Sequence, residues 1–213
     1  LILVQDHLSA TIIIVLVVGI MMLMAGVRPK YFATVGTGVA VAGAAGLYAM
    51  AKFTSKGAFG IARITSFLNP WADKQGDGWQ VIQSLYAIGS GGLFGVGLGQ
   101  SKQKYLYISE PHTDFIFAVL AEELGFVGCA IVIGLFGIFI WRGVLAAMKA
   151  PDMFGSLVAV GITSLIGLQA IINIAVVTSS MPVTGMPLPF FSYGVTSLLI
   201  LLCSVGVLSL IHI

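Results

Sequence analysis

Four carboxylates, Glu110, Asp114, Glu122 and Glu123, stand within SEPHTDFIFAVLAEELG (109–125), in a chain that has only eight Asp and Glu in all. A carboxylate at the mouth of a cavity is a suitable general base when its reach and protonation state fit the task. Asp114 lies where a long polar segment enters an apolar run, at the expected start of a helix. The bland reading is equally open at this point: Thr113 or Asp114 as N-cap, with the helix dipole favouring the negative charge. Glu122 follows eight residues later, about 12 Å along a helix and about 80° around it, while Glu123 points roughly opposite Asp114. Acids that deep in an apolar helix must be buried against partners or line a wet cavity. The pair reads as structural, holding helices together.

Other chemistries find less support. His7, His112 and His212 are scattered without i, i+4 pairing, and no Cys/His cluster has zinc spacing. No G-x-S-x-G elbow occurs, so Ser192 and Tyr193 read as packing or hydrogen-bonding residues. The run GSGGLFGVGLG (89–99) holds six glycines but neither G-x-G-x-x-G nor a following G-K-[ST], so no phosphate cradle is encoded. Cys129 and Cys203 fall in apolar runs and read as small packing residues rather than a disulfide framework.

The elements that must position these residues follow from composition. Of 213 residues, 58% are hydrophobic and 8% charged, with a mean hydropathy of +1.06; a soluble domain carries about 25% charged residues. The expected fold class is all-α, a polytopic membrane helical bundle. A net charge of +2 argues for no nucleic-acid partner. Five apolar runs approach the ~20 residues needed to cross a bilayer: 8–27, 31–51, 114–141, 155–178 and 190–211. The second is rich in Gly and Ala and is expected inside the bundle. Arg28, Lys30, Arg142 and Lys149 fall in links on one side, which the positive-inside rule makes cytoplasmic. The long loop 52–113 then lies outside the cytoplasm, although it carries six Lys and Arg of its own. Within it, WQVIQSLYAI (79–88) places Val81, Ile82, Leu85 and Ile88 at helical spacing. An interfacial helix followed by a close-packed or re-entrant glycine segment fits that pattern; a flexible glycine loop is the alternative. Leu1 is no start residue and no charged n-region precedes the first run, so the chain reads as beginning inside a longer protein.

Three long blocks carry a resemblance. NPWADKQGDGWQVIQSLYAIGSGGLFGVGLGQSKQKYLY (69–107), EPHTDFIFAVLAEELGFVG (110–128) and MPVTGMPLPFFSYG (181–194) closely resemble the SEDS family (shape, elongation, division and sporulation), which includes FtsW, RodA and SpoVE. The wording of the first block is more like the FtsW/SpoVE branch. The resemblance implies five helices that form the second half of a ten-helix fold, with a catalytic extracytoplasmic loop, in a bacterial cytoplasmic membrane. It implies a peptidoglycan glycosyltransferase that polymerises lipid II through β-1,4 bonds and releases undecaprenyl diphosphate, with a class B penicillin-binding protein as partner. Under it Asp114 is the catalytic residue, deprotonating the acceptor 4-hydroxyl, which displaces the diphosphate with inversion. Arg63, Lys102 and Lys104 would neutralise the leaving group, and Glu110, His112 and Thr113 would bind or orient the acceptor. A divalent cation such as magnesium or manganese could assist, but spacing shows no ligand set. A lipid II flippase and a non-catalytic scaffold for the penicillin-binding protein are the rival readings. The chain departs from the family at His7, where an aspartate is usual and Asp6 replaces a proline, and at Val195, where a second glycine is common. Without the other five helices, this half is expected to be inactive.

Overall fold

A computed structural model of the chain describes residues 8–28, 30–34, 36–38, 41, 67, 69–72, 77–101 and 113–211. Its helices are α1 (Leu8–Met24), α2 (Asp77–Gly91), α3 (Ile116–Lys149), α4 (Met153–Val177) and α5 (Val195–Ile211), with a 3₁₀ turn at Pro70–Ala72 before α2. Among the described residues there is no strand. α3 and α4, of 34 and 25 residues, are long and apolar enough to cross a membrane. α1 and α5 are shorter apolar helices of 17 residues. None shows a marked polar face, as expected of helices whose outer surface meets lipid or other helices rather than water.

The joint between α3 and α4 is written in Ala150, Pro151 and Asp152. A residue before proline is pushed out of the helical region, and Ala150 is extended at φ −59°, ψ 137°. Lys149 sits in the last turn of α3, where the dipole favours a cation. Asp152 then starts α4 as its N-cap, its carboxylate accepting from the Gly155 amide at 3.2 Å. The two helices run back to back with small residues at the crossing. Gly143 lies so close to the Thr163 side chain that a Cβ would collide with it, and Gly167 takes the end of Ile140. α4 is the centre of the bundle: α1, α3 and α5 all pack on it. The core runs through Ile13, Phe115, Phe117, Ile166, Val177 and Leu188. At its far end α4 closes with a Schellman motif. Ser179 is left-handed at φ 55°, its amide donates to Val176 O at 2.9 Å, and the Ser180 amide donates to Ala175 O at 2.7 Å.

Helix α2 packs on α3 through Val81, Ile82 and Ala87, all buried. Its buried Ser84 hydroxyl lies 2.8 Å from Val81 O and 3.1 Å from Val177 O, which ties α2 to the end of α4. Trp71 of the 3₁₀ turn meets Tyr86 edge-on at 6.0 Å. The glycine segment after α2 is not a loose loop. It inserts into a break in α3 at Gly125, whose backbone turns to φ 67°, ψ −166°. The carbonyls of Glu122 and Glu123 accept from Val96 N at 2.9 Å and Gly97 N at 3.1 Å. On the other side of the break, the amides of Phe126 and Val127 donate to Gly92 O at 2.9 Å and Leu93 O at 3.1 Å. The segment thus supplies hydrogen-bond partners along the interrupted helix, which a backbone away from water requires. Gly91 and Gly95 touch the backbone of Ala121 and Glu123, where any Cβ would collide.

The deep acids find their partner in the same segment. Glu122, 3% exposed, accepts a 2.5 Å hydrogen bond from the Ser101 hydroxyl. The Ser101 amide lies 3.4 Å from Glu123 Oε1. These contacts hold the glycine segment to α3. Replacing Ser101 by Ala removes a donor from a buried carboxylate. The expected cost is about 1.5–3 kcal/mol, read as a fall of roughly 3–12 °C in the unfolding midpoint in detergent. A midpoint unchanged by the substitution would show that the contact contributes nothing.

Most of the small-residue run 31–51 lies outside the described residues. One expectation is corrected. Cys129 is half-buried, but Cys203 is exposed on α5 and packs against nothing in the core.

Candidate active site

Asp114 stands in the turn of residues 113–115 that opens α3. Phe115, 1% exposed, drives its ring into the core and so pins the turn from below. It is also the N-cap residue, at φ −108°, ψ 18°, and makes no side-chain cap hydrogen bond itself. The N-cap position thus falls one residue after Asp114. Asp114 is half-buried.

The opposite wall is the segment between α4 and α5. The Ser192 hydroxyl donates to Thr113 O at 2.7 Å. Asn173, in the last turn but one of α4, donates through Nδ2 to Asp114 O at 2.7 Å and to Met186 O at 2.6 Å. Gly185 is left-handed at φ 64° and comes so near Asp114 that a Cβ there would sit 3.4 Å from Oδ2. The Thr113 carbonyl is thus tied to the 181–194 segment by Ser192, and the Asp114 carbonyl to Asn173 of α4, which also holds Met186 O, with the carboxylate near the Gly185 turn. Ser192 also lines a groove of about 180 Å³ between α4 and α5, with Gln169, Leu188, Pro189 and Leu201. The arrangement fixes the main chain that carries the Asp114 carboxylate.

Arg63, Lys102, Lys104, Glu110 and His112 lie outside the described residues. Of the expected site residues, Thr113 and Asp114 stand in the described turn; Glu122 and Glu123 sit deeper on α3, against the glycine segment. Among the described residues, no three His, Cys, Asp or Glu side chains converge in a way that could hold a metal ion.

Over residues 1–213 the sequence matches the family model of the FtsW, RodA and SpoVE cell cycle proteins. The chain belongs to this family. It is 53% identical to the stage V sporulation protein E of Bacillus subtilis over 189 residues, 89% of this chain and 50% of that protein. It is 45% identical to a probable peptidoglycan glycosyltransferase FtsW of Geobacter sp. strain M18 over 204 residues, 96% of this chain and 54% of that protein. A solved structure described as "Structural coordination of polymerization and crosslinking by a peptidoglycan synthase complex" superimposes with a TM-score of 0.76 at 28% identity. That match covers 99% of this chain and 57% of the other. This SEDS chain therefore spans about half the length of the curated relatives it matches.

Sequence reasoning missed two contributors to the SEDS site, Asn173 and Gly185. Gly185 was visible as the glycine of the MPVTGMPLPFFSYG block, between Thr184 and Met186. Asn173 gave a weaker signal, a lone carboxamide in the apolar run LQAIINIAVV. Gly185→Ala adds a methyl at 3.4 Å from the Asp114 carboxylate in a left-handed backbone, a conformation that costs about 1–2 kcal/mol with a side chain. We expect the unfolding midpoint in detergent to fall by roughly 2–8 °C, at 2–4 °C per kcal/mol. An unchanged midpoint would show that the turn tolerates a side chain.

Proposed function

We propose that the complete polypeptide is a peptidoglycan glycosyltransferase of the bacterial cytoplasmic membrane that polymerises lipid II. In this reading the chain crosses the bilayer five times, as half of a ten-helix bundle, with the 52–113 segment and Asp114 on the outer side. Asp114 takes the proton of the acceptor sugar's 4-hydroxyl, and the oxygen attacks the anomeric carbon of the donor. The bond to undecaprenyl diphosphate breaks, and a β-1,4 link forms with inversion. Arg63, Lys102 and Lys104 stabilise the charge that develops on the diphosphate, and Glu110, His112 and Thr113 orient the acceptor. A divalent cation such as magnesium or manganese would share that neutralisation where bound. A class B penicillin-binding protein crosslinks the product strands.

The observation that carries this reading is the fixed Asp114: its carbonyl is bonded to Asn173 and its carboxylate abuts Gly185. General base catalysis needs a carboxylate held within reach of one proton, and the fixed main chain on either side of it supports that role. Transport of lipid II is the rival reading, and it needs the deep acids to line a wet path for the headgroup. Glu122 is instead buried and bonded to Ser101, which favours chemistry at the mouth over passage through the helices. The test reconstitutes the complete polypeptide with its class B partner and fluorescent lipid II, and compares wild type with Asp114→Asn. Glycan strands from wild type and none from the variant support the base. Strands at the wild-type rate from both would sink it, and translocation without polymerisation would establish the transporter.

A further inference from the structure

Asn173 is 1% exposed near the end of an apolar helix, and burying a carboxamide is costly unless its groups are bonded. Its Nδ2 group spends both hydrogens on carbonyls, one on Asp114 at 2.7 Å and one on Met186 at 2.6 Å. The orientation is forced, since the flipped amide would set Oδ1 against the same two carbonyl oxygens. Oδ1 itself is buried with no hydrogen-bond partner among the described residues. A leucine of similar volume would avoid that cost, so the residue is poorly explained as a contribution to stability alone.

Its two acceptors make geometric sense together. They lie 59 and 13 residues away in sequence, on the two segments that face each other across the site. Met186 is the neighbour of Gly185, against which the Asp114 carboxylate rests. One planar group with two hydrogens about 120° apart therefore sets the distance between the turn that carries the base and the turn that confines it. Ser192 holds Thr113 by a single rotatable hydroxyl; the carboxamide has no such freedom. We propose that Asn173 is the positioning residue of this site, acting through the main chain of Asp114 to hold the carboxylate at the reacting hydroxyl. The inference rests on the reading of Asp114 as general base.

A base displaced by about 1 Å can lose a hundredfold in rate without losing substrate. In the reconstituted complete polypeptide with its partner, Asn173→Leu is expected to lower kcat for lipid II polymerisation 10–100-fold while KM stays within about threefold. Asn173→Ser keeps one donor and is expected to fall between the two. Asp114→Asn is measured in parallel. If it polymerises at the wild-type rate, the base reading fails; if it is inactive while Asn173→Leu retains full kcat, only the positioning role fails. A loss of kcat in Asn173→Leu matched by an equal rise in KM, or failure of both Asn173 variants to give monodisperse protein, makes Asn173 a folding residue and overturns the inference.

Discussion

Substituting Asp114 by Asn is expected to lower the rate of glycan polymerisation by about 10²–10⁴-fold, the range that a positioned general base contributes. The substitution is close to isosteric, and the contacts that fix the turn are made to main-chain carbonyls: Asn173 holds Asp114 O and Ser192 holds Thr113 O. Neither depends on the carboxylate, and Phe115 keeps its place in the core. The variant should therefore fold, bind its partner and bind lipid II as the wild type does. A loss confined to kcat then reads on proton transfer alone. Asp114→Glu supplies the contrasting case. It keeps the charge but carries it one methylene further, past the Gly185 turn, and is expected to lose about 10²-fold through misplacement. The readout is strand length and rate from fluorescent lipid II, per mole of monodisperse protein. A Glu variant as fast as wild type would mean that the position of the charge is not what matters.

The largest effect on stability is expected at Gly125. Its φ of 67° with ψ of −166° lies in a region open essentially to glycine, where a side chain costs about 1–3 kcal/mol. A Cβ there would also meet Gly95 N and the Leu93 carbonyl, and relieving that overlap means pushing out the segment that supplies four hydrogen bonds to the broken helix. Overpacking of this kind adds about 1–3 kcal/mol. The sum, about 2–6 kcal/mol, corresponds to a fall of roughly 4–24 °C in the unfolding midpoint at 2–4 °C per kcal/mol. Gly134→Ala and Gly137→Ala in the same helix serve as controls, since nothing stands within 4 Å of a Cβ at either position. They should leave the midpoint unchanged or raise it slightly, because Ala is the better helix former by up to about 1 kcal/mol. Should Gly125→Ala melt alongside those controls, the docked glycine segment is not a structural requirement.

Much of the candidate site was legible. Glu122 and Glu123 announced themselves by the cost of charge in an apolar run, and Asp114 by its place at a helix start inside a family motif. The helix α2 was readable from Val81, Ile82, Leu85 and Ile88, and the joint at Ala150 and Pro151 from the restriction proline imposes. What could not be read was the partner of each. Glu122 was expected to need a basic residue or another helix, and a serine from the glycine segment is among the groups that meet it. Asp114 was expected to be capping its helix or acting as a base, and the N-cap position falls on the next residue, Phe115.

The division has a physical cause. Composition, hydropathy period, turn chemistry and motif are properties of neighbouring residues, so the sequence by itself determined a membrane helical protein, its SEDS family and the carboxylate most suited to chemistry. The contacts that build the site join residues far apart: Asn173 to Asp114 across 59 positions, Ser192 to Thr113 across 79, Ser101 to Glu122 across 21. No local period reports such pairs, because each depends on how α3 and α4 cross and on a glycine segment entering a broken helix. Only the tertiary structure decided which buried polar groups meet, and with that which ones can hold Asp114 in place.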